Sequence, residues 1–247
     1  MTPCVLVFAG LDPGGGAGLA ADILAIAAQG AHALPVAAAL TCQDNNRVFE
    51  AQPVDAGLVA RQAAPLVAAF DIRAVKLGIP GNAANAAAIA AIICELRARQ
   101  PELPVVLDPV LASGHGDGLG QGSAMVALSD LLTLATIVLP NLPERDALGA
   151  STMVQMLVTG GHAPGDTVIN RWLQDGQMLR EWRWPRLPDT YHGSGCTLAA
   201  ALAARLALGE SMAIALEHAQ AYTHATLAQS FAVAPGQRIP RRLCQPH

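Results

Sequence analysis

The stretch VLVFAGLDPGGGAGLAADILAIAA, Val5–Ala28, decides the fold. Val5–Ala9 is a short apolar run that stops at Gly10, and Leu19–Ala28 carries its apolar residues at helical spacing. Between them, Gly14–Gly16 free the backbone to turn through positive φ or to approach a ligand closely. Strand, glycine loop and helix in that order open an α/β unit. The alternation continues along the chain. Ala33–Leu40 reads as a second buried strand, Val54–Ala69 as a helix, Ala74–Leu77 as a strand, Ala83–Arg99 as a helix and Val105–Leu107 as a strand. A helix around Met125–Leu134 and a strand Ile137–Leu139 follow, then a turn at PNLPE, strands Leu157–Thr159 and Val168–Leu173, and an edge hairpin arm Gln177–Trp184. Helices Thr197–Ala207 and Ser211–Gln229 come last. This pattern predicts a mostly parallel sheet with helices on both faces, built as one domain over residues 1–247.

Composition narrows the function. Hydrophobic residues make up 52% of the 247 residues, but Gly, Pro, Asn or Asp interrupt them before any run nears the ~20 residues of a membrane span. The opening MTPCVLVFAG has no basic region ahead of an apolar one, so no signal peptide is expected. The five cysteines form no C-x-x-C pair, which speaks against a zinc site and fits reduced thiols in a cytoplasmic protein. A net charge of −4 without a basic cluster excludes an electrostatic footprint for nucleic acid.

In open α/β sheets ligands bind beyond the carboxyl ends of the strands. The polar residues expected there are Asp12, Gln43, Lys76, Asp108, Asn141, Glu144, Thr159 and the loop before Cys196. The first glycine loop is neither a G-x-G-x-x-G fingerprint nor a P-loop, because it lacks the acidic residue in register and the G-K-[ST] ending. The loop HGSGC, His192–Cys196, is chemically sharper. Gly193 and Gly195 let successive N–H groups and a helix N-terminus converge on an anion, as a phosphoryl group in transfer requires. At that helix start Cys196 is expected to have a pKa below the free ~8.5, which would suit it to accept a proton from a substrate hydroxyl.

The segments AGLDPGGGAGLAAD, ALTCQDNNRV, AVKLGI, VVLDPVLASGHGD, LPNLPE, LVTGGH and HGSGCTLAAALAARLALG occur in this order between Val5 and Gly209. In them the chain resembles the hydroxymethylpyrimidine/phosphomethylpyrimidine kinases of thiamine biosynthesis, within the ribokinase-like superfamily. The resemblance implies a three-layer ribokinase-like fold. It also implies ATP-dependent phosphorylation of the hydroxymethyl group of 4-amino-5-hydroxymethyl-2-methylpyrimidine, with the monophosphate as a second candidate acceptor, and Mg²⁺ as cofactor. Cys196 would face the acceptor hydroxyl, and the amides of Gly193, Ser194, Gly195 and Cys196 would form the anion hole. Gln43 matches the glutamine that pairs with the pyrimidine, Asp22 matches an aspartate near the same pocket, and the loop with Gly10 and Asp12 would lie over the ring. Asp108, Asn141, Glu144, Thr159 and Gly161 would attend the nucleotide, with Asp108 and Glu144 on the metal. Relatives also suggest a homodimer. The alternatives are a pyridoxal-type kinase and a non-catalytic pyrimidine-binding protein of the same fold. This chain departs from the family pattern at three places: LASGHGD has no lysine, Thr159 stands where a lysine is usual, and only Arg145–Met156 joins NLPE to the next strand. That length is close to the ~10–12 residues a parallel crossover needs, so a shortened or lost helix is expected.

Overall fold

A computed structural model describes residues 1–110, 124–149 and 155–243. In chain order the elements are β1 (Cys4–Leu11), α1 (Gly18–Ala28), β2 (His32–Gln43), β3 (Val48–Pro53), α2 (Ala56–Ala69), β4 (Ile72–Leu77), α3 (Ala83–Arg99) and β5 (Val105–Leu107). They continue with α4 (Ala124–Leu134), β6 (Ile137–Val138), α5 (Leu142–Leu148), β7 (Gln155–Val158), β8 (Thr167–Gln174), β9 (Gln177–Pro185), α6 (Ser194–Ala207) and α7 (Met212–Ala228). The strands form one sheet in the order β3-β2-β1-β4-β5-β6-β7-β8-β9. From β2 to β7 neighbours run parallel, whereas β3, β8 and β9 pair antiparallel at the two edges.

The parallel strands are apolar on both faces, and β1 shows why. Val5, Val7 and Ala9 point into a core shared with α1, α6 and α7, while Cys4, Leu6 and Phe8 point into a second core under α2, α3 and α4. That is the period of two of a strand buried on both sides, and it produces the three layers expected. Helix α6 explains its alanines: Ala199–Ala204 is fully buried, and small side chains let α6 sit against α1, α7, β1 and β4 together. Among the described residues, no helix is long and apolar enough to cross a membrane.

Two sequence readings change, and the expectation of a shortened helix between β6 and β7 holds. β3 is a strand that the pattern did not reveal; it folds back on β2 through Asp44–Arg47. PNLPE is not a free turn but the start of α5, where Asn141 and Glu144 form a reciprocal capping box with Pro143 in the first turn. The crossover from β6 to β7 therefore keeps a helix, Leu142–Leu148, although a short one. Residues 150–154 and the lysine-free loop 111–117 lie outside the described residues.

Candidate active site

The two glycine loops meet at the carboxyl end of the sheet, and Asp12 builds the first of them. Its Oδ1 accepts from the Gly14 amide at 2.7 Å, and its Oδ2 from Gly16 at 2.9 Å and Ala17 at 2.8 Å. The His192 imidazole donates to the same Oδ2 at 2.9 Å, which ties this loop to the second one. Burial opposes ionisation of Asp12, but the bonds from His192, Ala17 and Gly14 outweigh it and hold the carboxyl below its ordinary value. Asp12 borders the cavity, as expected of it, with its carboxylate committed to the loop.

Gly193 caps α6 in the left-handed region at φ 79°. A Cβ there would lie 2.0 Å from the carbonyl oxygen of Gly16, so only glycine lets the two loops touch. The first amides of α6, at Ser194, Gly195 and Cys196, precede the intrahelical ladder, and all three residues line the cavity. They form the positive helix end that an anion seeks.

Beneath this turn lies a buried cluster of charge. Lys76, on β4, and Asp22, on α1, are both fully buried and pair at 2.9 Å. Burial disfavours the ammonium of Lys76, but Asp22, Cys196 and Asp108 outweigh it and hold its pKa above the ordinary value. Burial raises Asp22 to about 6 against the pull of Lys76, which leaves the ion pair formed at neutral pH. Asp108, just past β5, is also raised by burial, with Lys76 and Cys196 offsetting part of the effect. One oxygen of each carboxylate, Asp22 Oδ1 and Asp108 Oδ2, has no hydrogen-bond partner among the described residues.

Cys196 corrects the expectation of a lowered thiol pKa. Burial, with Asp108 and Asp22 alongside, pushes it up to about 12, and Lys76 draws it only partly back. The helix end is present as read from the sequence, but desolvation and two carboxylates outweigh a half charge.

These groups border one cleft of about 920 Å³. Gly10, Asp12 and Gln43 line one part of it, Gly193–Cys196, Lys76 and Asp108 its floor, and Asn141, Glu144, Thr159 and Gly161 the other part. Asp22 does not line it; its carboxylate is bound to Lys76, and that ammonium with Arg242 offsets its burial. The far part is held by Arg186, which donates to the carbonyls of Gly161 at 2.8 Å and of Ala163 and Gly165 at 2.5 Å each. Thr159 is fixed by its backbone N–H, which donates to the Pro140 carbonyl oxygen at 2.9 Å. The Glu144 Oε2 accepts from the Asn141 amide at 2.9 Å, so this carboxylate caps α5 while it borders the cleft. Among the described residues, no group of three or more His, Cys, Asp or Glu is arranged to hold a metal by itself. Asp108 and Glu144 would therefore need a ligand's oxygens to complete a magnesium shell. Sequence reasoning missed the parts played by His192, Arg186 and Arg242. Only tertiary contacts reveal them; the one usable signal was a histidine directly before Gly193.

A family model described as phosphomethylpyrimidine kinase matches residues 12–156 and 148–240. A hydroxymethylpyrimidine/phosphomethylpyrimidine kinase from Streptomyces coelicolor is 34% identical over 95% of this chain and 92% of its own length. One from Rhizobium meliloti is 33% identical over 96% and 95%. Among solved structures, pyridoxal kinase from Bacillus subtilis with ADP superposes with a TM-score of 0.83 at 22% identity, covering 98% of both chains. Phosphomethylpyrimidine kinase from Clostridium difficile gives 0.72 at 24% identity, covering 90% of this chain and 98% of that one. The order of the sheet, the glycine-lined cleft and the matched sequence thus agree, and the chain belongs to the phosphomethylpyrimidine kinase family of phosphotransferases.

Proposed function

We propose that the chain transfers the γ-phosphoryl group of ATP to the hydroxymethyl group of 4-amino-5-hydroxymethyl-2-methylpyrimidine, and then to the monophosphate formed, in thiamine biosynthesis. The observation that carries this reading is the floor of the cleft, where Cys196 and the free amides of the α6 turn stand beside Lys76 and Asp108. Phosphoryl transfer asks a protein for positioning and charge stabilisation more than covalent chemistry. The amides of Gly193–Cys196 hold the phosphoryl oxygens, and Gln43 offers both a donor and an acceptor to an aminopyrimidine edge. Asn141, Thr159 and Gly161 receive the nucleotide in the far part of the cleft.

Magnesium fits the site through Asp108, whose Oδ2 is buried without a partner among the described residues, with Glu144 lining the same cleft. When bound with nucleotide, Mg²⁺ supplies positive charge against Asp108 and the phosphates. Lys76 favours the Cys196 thiolate, whereas burial, Asp108 and Asp22 oppose it; once the thiol has given its own proton to solvent, Sγ accepts the hydroxyl proton while the acceptor oxygen bonds the γ-phosphorus and ADP leaves.

A homodimer is supported by the apolar side chains of Leu40, Phe49 and Leu58, which are exposed near the β3 edge. A cytoplasmic setting is supported by the free thiols of Cys4, Cys42, Cys94 and Cys196. Melting shifts separate the pyrimidine from the pyridoxal-type alternative. The pyrimidine alcohol should raise Tm at concentrations where pyridoxal does not, and a shift with pyridoxal alone would reverse the assignment.

A further inference from the structure

Arg242 lies past residue 240, where the family match ends, in a segment that follows α7 and returns across the site. Phe231 pairs with Ile239, Arg238 with Tyr191, and the Tyr222 hydroxyl donates to the Arg242 carbonyl at 2.8 Å. Although charged, Arg242 is 2% exposed. Its Nη2 donates to Gly16 O at 2.5 Å and to Gly193 O at 3.3 Å, and its Nε to Thr197 Oγ1 at 2.9 Å. Thr197 Oγ1 in turn donates to Gly193 O at 2.7 Å. One guanidinium therefore bonds the acceptor-side loop, the anion-binding turn and the first turn of α6. The carboxylates of Asp22 and Asp12 act on its charge through space, while its hydrogen bonds go to Gly16, Gly193 and Thr197.

We propose that Arg242 is a positioning residue that sets the spacing between the Gly14–Gly18 loop and the Gly193–Cys196 turn, and so the alignment of the acceptor hydroxyl with the transferring phosphoryl. The planar fork of arginine is what permits donation to Gly16, Gly193 and Thr197 from one rigid plane; a lysine ammonium keeps the charge but not that geometry. The loops remain joined without it through the bond between His192 and Asp12, so loss of Arg242 loosens their spacing and does not separate them. The inference rests on the kinase reading for its consequence in turnover, and on the structure alone for the spacing.

The test uses Arg242→Met and Arg242→Lys in the full chain. Arg242→Met should lower kcat ~10²-fold, the penalty of about 1 Å of misalignment, and leave both KM values within ~3-fold. Free guanidinium chloride at millimolar concentration should restore part of its kcat, and Arg242→Lys should remain impaired. Iodoacetamide should alkylate Cys196 several-fold faster in Arg242→Met, read on the peptide by mass spectrometry, because the two loops shield that thiol. If Arg242→Met fails to fold, Arg242→Lys decides. A folded variant with wild-type kcat and wild-type alkylation overturns the proposal, as does a rise in KM at constant kcat. Should the wild type transfer no phosphoryl group to the pyrimidine alcohol, the functional reading falls, and alkylation still decides the spacing.

Discussion

Replacing Gly193 by alanine tests the contact on which the two-loop site depends. The new Cβ would stand 2.0 Å from the Gly16 carbonyl oxygen and 2.8 Å from Arg242 Nη2. Ordinary contacts begin near ~3.5 Å, so the backbone of one loop must retreat by roughly 1–1.5 Å. A carbonyl cannot rotate aside as a flexible side chain can, and φ 79° adds a left-handed penalty of about 1 kcal/mol. Together with overpacking of ~1–3 kcal/mol, Gly193→Ala should lose about 2–4 kcal/mol of stability, on the order of 10 °C in Tm. On the proposed function the same displacement would part the anion hole from the acceptor, so kcat should fall by ~10² or more. Gly195→Ala is the internal control, because its Cβ would meet nothing nearer than the Asp108 carboxylate at 3.7 Å and its φ is not positive. Its Tm should stay within about 2 °C of wild type. Differential scanning calorimetry and steady-state rates on both variants give the comparison. Equal melting temperatures for Gly193→Ala and wild type would refute the claim that the loops touch at this carbonyl.

The other predictions concern the walls of the cleft. Gln43→Ala should weaken binding of the pyrimidine alcohol by ~1–3 kcal/mol in calorimetry, and unchanged affinity would remove Gln43 from recognition. Glu144→Gln keeps an acceptor for the Asn141 amide but removes a charge, so Tm should hold while the KM for Mg²⁺-ATP rises and pyrimidine binding stays put. Equal loss of both would point to collapse of the α5 cap. In the empty enzyme the Cys196 thiol, raised to about 12, should alkylate more slowly at pH 8 than the exposed Cys42 and Cys94, with a rate still climbing above pH 10. A plateau near pH 8 would show an ordinary thiol.

What was legible in the sequence was whatever depends on local pattern. Ala83–Arg99 opens after Asn82, which caps the helix, and Val105–Leu107 stops before Asp108-Pro109, so both elements lie where periodicity put them. Val48–Pro53 escaped because it is an exposed edge strand ending in proline, without the apolar alternation of a half-buried one. Asn141 and Glu144 carried the capping-box spacing, but the prolines around them read as a turn. The cleft residues were legible as a group, since strand ends converge in any parallel sheet. Their electrostatics were not. Asp22 and Lys76 meet across 54 positions of chain and Arg242 reaches Gly16 across 226, and no local pattern shows that Cys196 faces two buried carboxylates.

The central claim, that this cleft phosphorylates a hydroxymethylpyrimidine with Cys196 as the proton acceptor, is tested most directly by following transfer from ATP and Mg²⁺ with phosphorus NMR. Purified wild-type protein should convert 4-amino-5-hydroxymethyl-2-methylpyrimidine to its monophosphate and then to the diphosphate. Cys196→Ala, at saturating substrates, should turn over ~10²–10⁴-fold more slowly because the anion-binding amides survive the change and the proton acceptor does not. ATP consumed without a pyrimidine phosphate ester, or wild-type turnover by Cys196→Ala, would contradict it.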